Sequence, residues 1–179
     1  MGRLDDLVRA VGAMAPDSLY AARTAGPHGF DLENTDDVLR RAIVRWKGSP
    51  SEIGIHAQDE LAGARIPSSV SGLRSRAMAA ALLDAVDQRG IPAPALYRGD
   101  ILPPERNTSP LLGWTASPKV ARQWAGVYGG EVYPLEGARG IRLKDFVGDT
   151  FDAGEDEWVL RHFGAPSRPV DSIRVLRQR

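Results

Sequence analysis

The chain has 179 residues and a formal net charge of zero, 23 lysines and arginines against 23 aspartates and glutamates, so it lacks the basic footprint of a nucleic-acid binder. It contains no cysteine, which excludes disulfides, thiolate nucleophiles and cysteine-ligated zinc. No apolar run approaches the roughly 18 residues of a membrane span, and the opening MGRLDDLVRAVGAMA mixes acids among its apolar positions, unlike a signal peptide or an anchor.

A soluble, cytoplasmic protein is therefore expected, acting in the cell that makes it or in one that receives it. Lysine occurs only at Lys47, Lys119 and Lys144. The predominance of arginine reads as GC-rich coding, bacterial or phage, and not as selection for phosphate binding.

The first half reads as helices. Leu4, Leu7, Val8, Val11 and Met14 recur at the spacing of one helix face, and Pro16 closes the segment. Thr35, Asp36 and Asp37 mark a second start, followed by the stripe Val38, Leu39, Ala42, Ile43 and Trp46, which KGSPS breaks. A short helix is expected over residues 52–61. A long alanine-rich one runs from Ser71 to Arg89, where Gly90 and Pro92 stand in stop order.

Beyond Pro94 the period shortens. ALYRG, GWTAS, GEVYPL, GIRL, DEWVL and SIRVLR are strand-length runs separated by glycine, proline and aspartate, with one helix between the second and third, over residues 119–126. Helices followed by strands predict an α+β fold, with N-terminal helices packed on a mostly antiparallel sheet. The whole of 1–179 is expected to form a single domain, with residues 1–93 its helical part and 94–179 its β-rich part.

Three stretches of the second half carry polar groups that a plain core does not need: LYRGD at 96–100, GWTASPKVARQWA at 113–125 and GEDEWVL at 154–160. On a strand, Leu96 and Arg98 share a face opposite Tyr97, so Arg98 points where leucine points and requires an anion. Thr115 and Ser117 likewise share a face and offer two short hydroxyls, with Pro118 suited to the first turn of the next helix. If GEDEWVL is extended, Glu155 and Glu157 share a face roughly 7 Å apart, a pairing of like charges that favours a cation between them.

Singly, each feature has an ordinary explanation. Arg98 fits a surface ion pair, Thr115 and Ser117 a strand end and helix cap, and the acids a solvated turn. His28, His56 and His162 have no partners at ligand spacing, so no metal is expected. Trp124 reads as core, while Tyr128 is a candidate to stack on a nicotinamide ring.

In chain order, the three stretches resemble the R-S-E group of mono-ADP-ribosyltransferases, a toxin-like family that uses NAD as co-substrate. Its arginine, Ser-Thr-Ser and Glu-x-Glu signatures match Arg98 in LYRG, Thr115-Ala116-Ser117 after Trp114, and Glu155-Asp156-Glu157. The helix SPKVARQWA is similar to the family's segment after Ser-Thr-Ser, with Ala121 and Trp124 at the buried positions. The similarity spans residues 94–177. It departs from the pattern at the triplet, where threonine replaces the first serine and alanine the middle threonine.

The resemblance implies an ADP-ribosyltransferase-like β core for 94–179 that binds NAD and carries catalysis. It implies that Glu157 stabilises the positive charge growing on the ribose as the bond to nicotinamide breaks. It also implies that Arg98 pairs with the diphosphate, that Thr115 and Ser117 orient Glu157, and that the backbone of Gly99 approaches the nicotinamide amide. Glu155 then stands on the acceptor side, at the end of the loop KDFVGDTFDAG, and points to an arginine acceptor on a target protein, with Phe146 or Phe151 as its apolar contact. Three other readings stay open: an NAD glycohydrolase with water as acceptor, an inverting glycosidase, and a catalytically inactive binding module of the same fold.

Overall fold

The computed structural model of the chain describes residues 2–24, 29–148 and 154–162. Two compact units make it up, Met1–Ala85 and Val86–Arg179. The division falls near the end of the long helix and not at Pro94, where the sequence periodicity changes.

The first unit is helical. Helices α1 (Arg3–Met14), α2 (Pro16–Thr24), α3 (Thr35–Gly48), α4 (Pro50–Leu61) and α5 (Val70–Arg89) follow in order. α1 buries Leu4, Leu7 and Val11 as the spacing predicts, whereas Met14, at its end, is exposed. Pro16 does end α1, but it also opens α2, in keeping with proline's tolerance of a first helical turn. The α3 cap is Asn34, one residue before the expected start; its side-chain oxygen accepts from the Asp37 amide at 3.1 Å.

α5 is buried around nearly its whole circumference, from Leu73 to Val86. Within it Arg76 is 2% exposed. Its charge is compensated by Glu60 at 2.5 Å and by the carbonyls of Asp59 and Ala64, the arrangement that a buried cation requires.

The second unit contains strands β1 (Ile91–Pro92), β2 (Leu96–Asp100), β3 (Leu111–Thr115), β4 (Glu131–Leu135), β5 (Arg139–Arg142) and β6 (Glu157–Arg161). They form one sheet in the order β1-β5-β6-β3-β2-β4. Its registered pairs are all antiparallel among the described residues. The expected α+β class with an antiparallel sheet is what the chain adopts. Helix α6 (Pro118–Tyr128) and the short α7 (Lys144–Val147) complete the unit; the expected strand SIRVLR lies outside the described residues.

The pleat divides the sheet into two faces. Leu96, Leu112, Trp114, Leu135, Trp158 and Leu160 gather on one of them as a buried cluster. α6 lies against β2 on the other. A Cβ at Gly99 would stand 2.0 Å from the Ala121 carbonyl oxygen and 2.4 Å from the Ala125 amide nitrogen, distances that show how close the helix backbone comes. Ala121 and Ala125, buried and small, let it approach.

Candidate active site

Thr115 ends β3, and the chain turns there into α6. The Thr115 hydroxyl accepts from the Ser117 amide at 3.0 Å, a local turn of the kind short hydroxyl residues favour. Ser117 is the helix cap and not a strand residue: its Oγ accepts from the Val120 amide at 3.3 Å. The expectation that Thr115 and Ser117 share a strand face is thus corrected, because the strand stops before Ser117.

The Thr115 hydroxyl also donates to the Glu155 carbonyl oxygen, tying the end of β3 to the Glu-Asp-Glu segment. Three further contacts hold that segment. Ala116 donates its amide to the Asp156 carbonyl at 3.1 Å, and Leu143 its amide to the Glu157 carbonyl at 2.9 Å. Arg142 Nε meets Asp156 Oδ1 at 2.5 Å. The Glu155 and Glu157 carbonyls are therefore engaged by groups from β3 and the β5–α7 junction, which fixes where their side chains start.

The expected geometry of the two glutamates does not hold. β6 begins only at Glu157, and Asp156 has φ 46°, in the left-handed region that aspartate tolerates better than most residues. Alternation across residues 155–157 therefore fails, and the inference of a shared face rested on it. Glu157 stands in the sheet opposite Thr115. Glu155 lines a cavity of about 300 Å³ with Val120, Gln123, Trp124 and Val127 of α6, at the low end of the size range of small-molecule sites.

The register also separates Arg98 from these groups. Tyr97, Thr115 and Glu157 are cross-strand partners on β2, β3 and β6 and so share a face, whereas Arg98 alternates with Tyr97 and projects to the face of Leu96 and the tryptophans. Its guanidinium bonds Asp100 Oδ2 at 2.7 and 3.0 Å and the Gly113 carbonyl at 2.6 Å. The anion that this arginine requires is present two residues along the same strand. Nearby, His162 Nε2 donates to the Asn107 carbonyl oxygen, 2.9 Å away; burial first, and then the Arg98 charge, push its pKa below the ordinary histidine value.

Gly99 and Trp124 take roles the sequence did not signal. The bare Cα of Gly99 is occupied by the backbone of α6, so close packing accounts for the absence of a side chain there. Trp124, expected in the core, is 42% exposed and stacks on Tyr128 with ring centroids 5.8 Å apart. The reason lies in the helix: it rests on β2 through Ala121 and Ala125, which leaves the larger apolar residues outside that contact. Phe146 lies in α7, half-buried. Phe151 and His28 fall outside the described residues. No group of three or more metal-ligating side chains that could hold an ion occurs among the described residues, and no described helix is long and apolar enough to cross a membrane.

Thr115→Val is expected to loosen this assembly. The residue is buried, and the nearly isosteric change strands the Glu155 carbonyl and the Ser117 amide, at a cost of about 1–3 kcal/mol. A chemical-denaturation curve indistinguishable from wild type would show that the hydroxyl does not hold the two segments together.

No family model, curated protein or solved structure matches the chain.

Proposed function

We propose that the unit Val86–Arg179 is a mono-ADP-ribosyltransferase that takes NAD as co-substrate and transfers its ADP-ribose to an arginine of a target protein. The observation that carries this reading is the pairing of Thr115 with Glu157 across β3 and β6, with the Thr115 hydroxyl on the backbone of Glu155. It fixes the backbone of Glu157 in the sheet and ties that of Glu155 to the end of β3, which supports a site with two carboxylates.

In the proposed reaction, the bond from ribose C1′ to the nicotinamide nitrogen breaks, and its electron pair leaves with neutral nicotinamide. Glu157 stabilises the positive charge left on the ribose, an electrostatic contribution available without reorganisation because its backbone is already fixed. A guanidino nitrogen of the acceptor forms the new bond to C1′ and releases its proton to Glu155.

Arg98 enters the reading with a changed emphasis. A diphosphate meeting its guanidinium has to compete with Asp100, and the observed contacts support a bracing role, since Arg98 links β2 to the Gly113 carbonyl of β3. The same observation favours a second reading. An arginine on the face opposite Glu157 is what an inactive module of similar architecture would display.

Isotopically labelled NAD, incubated with the protein and a cell lysate, tests both readings. Label is expected on arginine of a recipient protein, with Glu155→Gln lowering transfer far more than it lowers release of nicotinamide. Free nicotinamide without protein label indicates a glycohydrolase. Failure to consume NAD, together with no thermal stabilisation by it, indicates the inactive module.

A further inference from the structure

α6 meets β2 through Ala121 and Ala125 and turns a second apolar seam outward. Val120, Trp124 and Val127 stand at the i, i+4, i+7 spacing by which one helix packs on another. Trp124, Val127 and Tyr128 are 42%, 71% and 49% exposed, and the two rings stack with 17° between their planes. The patch continues past the helix. A Cβ at Gly130 would stand 2.7 Å from the Ile101 amide nitrogen, so the backbone of Ile101 lies beside the end of α6, and both Ile101 and Leu102 are exposed.

Trp124 and Tyr128 each leave open about half of the 150–250 Å² that an aromatic side chain buries. With Val127, Ile101 and Leu102 the patch comes to about 400–500 Å², a size that on a monomer often marks a contact surface. Two such patches face to face, with Lys119, Arg122 and Gln123 at the rim, bury about 1,000 Å², the lower bound for a specific association and well short of an obligate one.

The charges on α6 select the occupant. Its first turn contains no acid and its last turn no base. Lys119 stands instead in the first turn and Arg122 in the second, and neither has a partner among the described residues. Cations thus crowd the positive end of the helix while the negative end lacks one, the reverse of what the macrodipole favours. A second α6 laid antiparallel on the seam corrects both, because the Lys119 and Arg122 of each copy come beside the C-terminal end of the other. A parallel pair sets like ends together. An anionic lipid surface takes up the cations but leaves the negative helix end against like charge.

We propose that the chain self-associates through this face, as a two-fold dimer in which α6 pairs antiparallel with the α6 of a second copy. The same stripe lines the cavity beside Glu155, which the second copy covers. Dimerisation of this kind does not depend on the NAD chemistry, so failure of either leaves the other in place.

Sedimentation equilibrium of the full chain is expected to show a reversible monomer–dimer equilibrium with a Kd in the micromolar range, in keeping with the modest area. Val127→Asp sets a carboxylate into the seam and should weaken the dimer roughly tenfold or more. Val44→Asp, at a 45% exposed position of α3, should leave it unchanged, and thermal melts verify that both variants fold. Lys119→Glu should act in opposite directions, raising the melting temperature of the dilute monomer slightly while weakening the dimer several-fold.

Because the chain has no cysteine, single cysteines report the orientation. Gln123→Cys, beside the two-fold axis, is expected to give a disulfide-linked dimer on mild oxidation. Lys119→Cys is not: four residues from the axis at 1.5 Å per residue, the two copies of that position lie about 12 Å apart along an antiparallel pair, beyond disulfide reach. A monomer at every concentration into the millimolar range overturns the dimer, as does a dimer that Val127→Asp leaves intact. Cross-linking through Lys119→Cys in preference to Gln123→Cys overturns the antiparallel pairing. A chain that stays monomeric but sediments with anionic vesicles assigns the face to lipid instead.

Discussion

Glu157→Gln is expected to lower both nicotinamide release and ADP-ribose transfer by roughly 10²–10³-fold, the loss typical when one electrostatic stabiliser is removed from a preorganised site. The two side chains have the same shape, and the ladder pairing with Thr115 and the Leu143 amide on the Glu157 carbonyl are backbone contacts that the exchange leaves in place. The variant should therefore fold. NAD affinity, measured by calorimetry, should stay within a few-fold of wild type, because the lost charge acts when positive charge grows on the ribose and not in the ground state. A loss of affinity equal to the loss of rate moves Glu157 from catalysis to binding. Full activity in the variant sinks the assignment.

The proposed site was legible in the sequence as three stretches in order, and much less so as geometry. Helices α1, α3 and α5 announced themselves through apolar spacing because each buries one stripe or, for α5, nearly all of its surface. The strands β2, β4 and β6 were visible as short apolar runs between glycines and prolines. What the runs could not tell was the facing of side chains, because facing depends on where a strand begins and on which residue lies opposite.

Asp156 shows the first limit: one left-handed residue before β6 cancels the alternation assumed for Glu155 and Glu157. Arg98 shows the second. Its face relative to Leu96 follows from the sequence alone, but its relation to Glu157 depends on the pairings of Tyr97 with Thr115 and of Thr115 with Glu157. Those pairings join segments far apart in the chain. Trp124 shows the third limit, since an apolar stripe looks the same whether it meets a sheet or solvent, and it is Gly99 together with Ala121 and Ala125 that sets which side of α6 docks.

That close approach makes Gly99→Ala a strongly disruptive small substitution. The added Cβ would lie 2.0 Å from the Ala121 carbonyl oxygen and 2.4 Å from the Ala125 amide nitrogen. Both are backbone atoms of one helix, so no rotamer change relieves the contact, and α6 must move away from β2. A cost of about 3 kcal/mol or more is expected, at or beyond the upper end of ordinary overpacking.

The shift also disturbs the wall of Val120, Gln123, Trp124 and Val127 that lines the cavity with Glu155. Gly126→Ala supplies the opposite sign on the same helix. Gly126 is exposed, and its added Cβ meets nothing within 4 Å, so the exchange should stabilise the protein by about 0.5–1 kcal/mol through helix propensity alone. Chemical denaturation of both variants reads the pair directly. If the two melt alike, α6 does not rest on β2 through Gly99, and the placement of the cavity beside Glu155 fails with it.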